Sequence, residues 1–186
     1  MLTMSPKERR DQALVAIFHA LIDLMQHQEM TTISVTKLCQ KAGVSQTYYY
    51  KHFTTYAEII DQYEMLSIVN YMRGLPNSTK LEMPTMMTHY FELVANHHEE
   101  QLVLLETGNE QPLIRGFETA FQYLVQADKI YQGPGSNTTQ RYWGGFLAGA
   151  VINTSLRWVQ NEMTETPAYM GQLIADFLKI ESGGKR

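Results

Sequence analysis

The sequence predicts an all-α fold in which a small helical module precedes a larger helical body. Three observations predict it. Apolar residues recur at helical spacing along most of the 186-residue chain, and no stretch alternates apolar and polar residues long enough to compete as a strand. Ser, Thr or Pro stands repeatedly where such a periodic stretch begins, the place where helices are capped. Near the N-terminus two very short helical stretches lie between two long ones.

The first helix is expected from about Pro6 to Gln26. Ser5 caps it, Pro6 takes the first helical position, and Glu8 suits the positive end. Leu14, Ile17, Phe18, Leu21, Leu24 and Met25 form its core stripe. Ser34 caps a short helix over 35–41, Gly43 supplies the turn, and Ser45 caps a second short helix over 46–52. Thr55-Tyr56-Ala57-Glu58 has the spacing of a capping box, with Glu58 reaching back to the cap, and opens a long helix towards Arg73. Residues 74–82, "GLPNSTKLE", read as a linker. Further helices are expected at about 84–96, 98–107, 112–127, 138–160 and 167–180. The strongest break is Gln132–Thr139, and 181–186 read as a frayed tail.

Bulk properties narrow the functional classes. A single cysteine, Cys39, excludes an intramolecular disulfide framework and a multi-cysteine zinc site, and reads as a small buried hydrophobe. The N-terminus lacks the hydrophobic run of a leader. The longest apolar run, 142–156, is short for a membrane span and carries Asn153, Thr154 and Ser155, so a soluble cytoplasmic protein with no membrane partner is expected. Net charge is −4, but residues 1–57 hold six cations against four anions. That module is therefore +2 and the remainder −6, which confines polyanion contact to the front. His97 and His98 diverge on a helix and lack an i, i+4 partner, so no metal site is expected. No glycine-rich phosphate loop, nucleophile elbow or carboxylate pair stands out, and neither a cofactor nor enzymatic activity is expected.

The stretch "KAGVSQTYYYKHF" (41–53) poses a geometric question. Helical side chains advance by about 100° per residue, so three adjacent tyrosines cannot share a face. At most one or two are buried, and the rest meet something else. Two short helices joined by Ala42-Gly43-Val44 have the shape of a helix-turn-helix, whose second helix reads the DNA major groove while the first braces it.

"TISVTKLCQKAGVSQTYYYKHF" resembles the DNA-binding region of the TetR family of bacterial transcriptional regulators through Ala42, Gly43, Val44, Ser45, Tyr50 and Phe53, with His52 where His or Tyr is frequent. The resemblance implies that Tyr49 is buried with Val44 and Phe53, pinning the reader helix. It implies that the Tyr50 hydroxyl meets a phosphate, and that Tyr48 faces DNA where the family usually has Thr. Gln46, Thr47 and Thr36 are the implied base-edge readers. Lys37, Lys51, His52 and the Ser34 cap region are implied phosphate contacts, with Ser45 at the same surface. Tyr56 stands where the family commonly has a phosphate-clamping Lys.

For the body, the C-terminal "GGFLAGAVINTSLRWVQNEMTETPAYMGQLI" resembles the last two helices of some members. It implies a homodimer joined as a four-helix bundle, with Trp143, Phe146, Gly149, Ile152, Trp158, Met170, Ile174 and Phe177 at the interface. The expected organisation is a DNA-binding domain over 1–55 and a regulatory and dimerisation domain over 56–186. The expected function is repression at a near-palindromic double-stranded operator, released by a small-molecule effector. The competing reading is a protein-interaction adaptor with a weak or vestigial DNA module.

Overall fold

The computed structural model describes residues 4–77, 80–130 and 140–179. Among them the backbone forms nine α-helices: α1 (Pro6–Met25), α2 (Val35–Ala42), α3 (Gln46–His52), α4 (Tyr56–Gly74), α5 (Met83–Asn96), α6 (His98–Glu106), α7 (Gln111–Gln126), α8 (Trp143–Gln160) and α9 (Pro167–Lys179). A one-turn 3-10 helix at Met30–Thr32, which the sequence did not suggest, turns the chain from α1 towards α2. The break at Gln132–Thr139 and the tail at 181–186 lie outside the described residues.

Local chemistry accounts for most of the helix starts. Ser5 Oγ accepts from the Glu8 amide at 3.2 Å while Glu8 returns to the Ser5 amide at 2.6 Å, a complete capping box. These bonds hold the Glu8 carboxyl below its usual pKa range. The start of α4 differs from the sequence expectation. Thr55 Oγ1 accepts from the Glu58 amide at 3.2 Å, but the Glu58 carboxylate takes the amide of Thr54, at 2.8 Å, and not that of the cap. Phe53 is extended, so the chain bends just before α4 and brings the Thr54 N–H round to the carboxylate.

The chain divides into two compact units, Met1–Ser67 with Val103–Pro112, and Ile68–Leu102 with Leu113–Arg186. In the first, all six predicted stripe residues of α1 are buried, together with Ile33, Leu38, Cys39, Tyr49, Phe53, Ile59 and Ile60. Tyr63 lies flat on Phe18, ring centroids 3.6 Å apart. Burial pushes the Cys39 thiol pKa up, as befits an unreactive buried sulfur.

In the second unit α5 and α9 pack along one another. Gly171 of α9 makes this approach possible: a Cβ there would stand 2.6 Å from the Thr88 nitrogen and 2.9 Å from the Pro84 carbonyl oxygen. Phe91 and Trp158 meet edge to face, as do Tyr90 and Phe117. Two phenols satisfy themselves inside the unit: the half-buried Tyr71 Oη donates to the Met86 carbonyl at 3.0 Å, and the buried Tyr90 Oη pairs with Ser155 Oγ at 3.0 Å. Leu81 and Ile130, both buried, form an isolated parallel bridge that ties the segment before α5 to the segment after α7. No described helix is long and apolar enough to cross a membrane.

Candidate nucleic-acid interface

The helix-turn-helix is built by local rules. Ser34 Oγ accepts from the Lys37 amide at 3.2 Å and starts α2; Ser45 Oγ accepts from the Tyr48 amide at 3.0 Å and starts α3. Between them Gly43 adopts φ 69°, a left-handed conformation that costs glycine little. Its position lets the Val44 amide return to the Cys39 carbonyl at 3.1 Å and closes α2.

The three tyrosines diverge, each to its own surroundings. Tyr49 is 3% exposed and Phe53 4%, so this face of α3 is the one sealed against the core. Burial and the neighbouring phenols Tyr56 and Tyr50 push the Tyr49 pKa up to about 12. Tyr50 is 67% exposed and meets Tyr49 edge to face at 5.3 Å. Tyr48 takes neither course. It is half-buried on the flank of α3, its ring 4.3 Å from that of His52 one turn on, with Arg10 and Asp11 of α1 close enough to act on its hydroxyl. Tyr48 is thus partly covered by the tilted His52 ring one turn on and by α1, and is less open than Tyr50.

The outward face of α3 therefore carries Gln46, Thr47, Tyr50 and Lys51, all exposed. Thr36 of α2 joins them, because Gln46 Nε2 donates to Thr36 Oγ1 at 3.1 Å. Among the described residues no ion pair engages Lys51. Lys37 Nζ instead donates to Gln28 Oε1 at 2.7 Å, and Lys41 pairs with Asp23. His52 is half-buried behind Tyr48, and its carbonyl accepts from Gln62 Nε2 at 3.4 Å.

Tyr56, which stands where the family commonly has a lysine, is engaged within the protein. Its hydroxyl donates to the Ile33 carbonyl at 2.6 Å, and burial pushes its pKa up. A phenol has one proton, so in this structure none is left for a phosphate. The residue ties the start of α4 to the backbone just before the Ser34 cap. Sequence reasoning also missed Gln28, Gln62 and Arg10 as neighbours of Lys37, His52 and Tyr48. Each lies about two helical turns or more away in the chain, so only the folded chain brings them in.

Of the eight residues named for an interface on α8 and α9, Ile152, Trp158, Met170 and Ile174 are each 3–4% exposed within this chain and belong to its own core. Trp158 Nε1 further donates to the Glu165 carbonyl at 3.2 Å. Phe146 and Phe177 are 58% and 55% exposed, and a Cβ added at Gly149 would meet nothing within 4 Å. With Trp143, Phe146 and Phe177 line a shallow groove floored by Leu147, Val151 and Ile174.

The family model TetR_C_8, a transcriptional regulator C-terminal region, matches residues 82–179, more than half of the chain. No curated protein sequence gives a significant match. Solved structures similar in fold include the dihydroxyacetone kinase operon activator DhaS (TM-score 0.61, 13% identity, covering 91% of this chain and 95% of that one). The fatty acid degradation regulator FadR from Bacillus halodurans has a TM-score of 0.60 at 14% identity, over 95% of this chain and 100% of that one. A transcriptional regulator FadR from Bacillus subtilis, in complex with stearoyl-CoA, has a TM-score of 0.55 at 16% identity, over 88% and 96%.

Proposed function

Because the chain belongs to the TetR family of transcriptional regulators, we propose that it acts as a homodimeric, cytoplasmic repressor that binds a near-palindromic operator and is released by a small-molecule effector. One observation carries the DNA-binding part: a single exposed face of α3 presents Gln46, Thr47, Tyr50 and Lys51, while Tyr49 and Phe53 anchor the opposite face in the core. Gln46 suits adenine, whose N6 and N7 present a donor and an acceptor to an amide; Lys51 and Tyr50 suit phosphates. In this reading residues 1–55 hold the DNA and residues 56–186 regulate and dimerise.

The exposed Phe146 and Phe177, with open space beside Gly149, support dimerisation through α8 and α9. A two-fold dimer would place its reader helices roughly 34–36 Å apart, one turn of DNA. Met86, Met87, Phe91 and Phe121, with the Tyr90–Ser155 pair, are part of the second unit's packed core, and surroundings rich in Met and aromatic rings suit an apolar or amphipathic effector. Such a ligand acts only through its greater affinity for the conformation that does not bind DNA.

The test is fluorescence anisotropy on duplex from upstream of the protein's own gene, across a salt series, with Gln46→Ala and Tyr50→Phe beside wild type. Gln46→Ala should lose about 1–3 kcal/mol of discrimination at one base pair, and Tyr50→Phe should weaken all sequences alike. If folded, dimeric protein binds no duplex at low salt, the DNA reading fails. The acidic body would then be screened as an adaptor for a protein partner.

A further inference from the structure

Gln46 is the first residue of α3 and Thr36 the second of α2, both exposed and ten residues apart in sequence. Their contact, Gln46 Nε2 to Thr36 Oγ1 at 3.1 Å, is a side-chain bond between the two helices on the outer surface. It buries little, and the caps, the Gly43 turn and the Leu38, Tyr49 and Phe53 core already hold the helices together. Its consequence is therefore local to the Gln46 side chain.

We propose that Thr36 is a positioning residue for sequence readout, which contacts no base itself and holds the Gln46 amide in the orientation that reads adenine. This rests on the DNA-binding reading above. A glutamine amide has two N–H donors and one carbonyl acceptor. With one N–H given to Thr36, the other N–H and Oε1 remain on the opposite edge of the same planar group. That edge is a donor–acceptor pair matching adenine N7 and N6. A free glutamine samples many rotamers at this exposed site, and ordering it on DNA costs affinity. The Thr36 hydroxyl removes part of that cost before DNA arrives.

Selection of duplexes by the wild-type protein from a randomised 20-base-pair library supplies the probe, together with its single-base-pair variants and an unselected duplex. Thr36→Val keeps the side chain's shape and removes the hydroxyl; Thr36→Ser keeps the hydroxyl. Thr36→Val should lower discrimination by about 2- to 10-fold at one pair, the pair at which Gln46→Ala also loses it. Affinity for the unselected duplex should stay within about 2-fold, and Thr36→Ser should restore discrimination. The double variant Thr36→Val/Gln46→Ala should be no worse than Gln46→Ala alone, since Thr36 acts only through Gln46. A loss at a different base pair would mean that Thr36 reads DNA directly, and a uniform loss on all duplexes would make it a phosphate contact. Either result overturns the proposal, as would an unchanged Thr36→Val or losses that multiply in the double variant. If wild type itself selects no preferred duplex, the DNA-binding reading falls first, and the positioning role with it.

Discussion

Replacing Gly171 with alanine tests how the body of the protein is held together. The added methyl would sit 2.6 Å from the Thr88 nitrogen and 2.9 Å from the Pro84 carbonyl oxygen, and both atoms are α5 backbone. Neither can rotate aside as a side chain would. Carbon packs at about 3.5 Å or more from its neighbours, so α9 must move away from α5 by about 0.6–0.9 Å. A gap of that size forfeits roughly a quarter to a half of the dispersion energy of each atom pair across the contact. Overpacking of this kind costs typically about 1–3 kcal/mol, and the rigid backbone places it near the upper figure. Alanine's better helix propensity returns about 1 kcal/mol. The net loss is about 2 kcal/mol, which for a chain of this size lowers the melting temperature by about 4–8 °C.

The assay is thermal unfolding followed by circular dichroism, with Gly74→Ala as the control. A Cβ at Gly74 meets nothing within 4 Å, so that variant should melt with wild type or slightly above it. A Gly171→Ala protein melting at or above wild type would refute the close approach of α5 and α9.

Tyr56→Phe removes the bond to the Ile33 carbonyl and should cost about 1–2 kcal/mol in urea denaturation. Since the Tyr56 proton is not offered to DNA, the salt slope of binding should not change. Lys51→Ala, by contrast, should reduce the magnitude of that slope by about 1 for each phosphate the lysine neutralises, read from anisotropy between low and moderate salt. Alkali provides an independent check on the α3 core. Tyr49 keeps its proton up to a pKa of about 12 in the fold against an ordinary 10, so above pH 10 the unfolded chain is the form that gives up the proton more readily. Stability is then fully present below pH 10 and falls as pH rises through 12, by on the order of 2–3 kcal/mol for this group. Desolvation shifts Tyr71 in the same direction and adds to the fall, and Tyr49→Phe should flatten it.

What the sequence made legible was written in neighbouring residues. The Ser5, Ser34 and Ser45 caps, the left-handed Gly43 and the α1 stripe each need only a few consecutive positions, and the structure contains them all. That the three tyrosines cannot share one face follows from the same short-range geometry, whereas which of them is buried was legible only through the family resemblance. The direction of Tyr48 does not follow from that geometry, because both flanks of α3 look alike until α1 brings Arg10 and Asp11 to one of them. Thr36 with Gln46, and Tyr56 with Ile33, span ten and 23 residues of chain, and no local rule pairs them. On α8 and α9, residues facing the chain's own core and exposed apolar residues repeat with one helical period. Ile152 and Met170 therefore read the same as Phe146 and Phe177 until burial separates them.

The charges of the helix-turn-helix bear on how it would discriminate among sequences. Lys41 is engaged by Asp23, Lys37 donates to Gln28, and a phenol bonded to backbone stands at 56, where the family commonly has a lysine. Lys51 is left as the cation on the outward face of α3. Each phosphate neutralised raises affinity for every sequence alike, and does so strongly at low salt. A reader helix with few such contacts holds random DNA weakly, so a larger part of its preference for one site must come from base edges. In the proposed reading that burden falls on the Gln46 amide, and a long side chain discriminates only as well as it is oriented. A bond that fixes its amide before the groove is met has most effect in a module of this charge, and little in one that already gripped the backbone with many lysines.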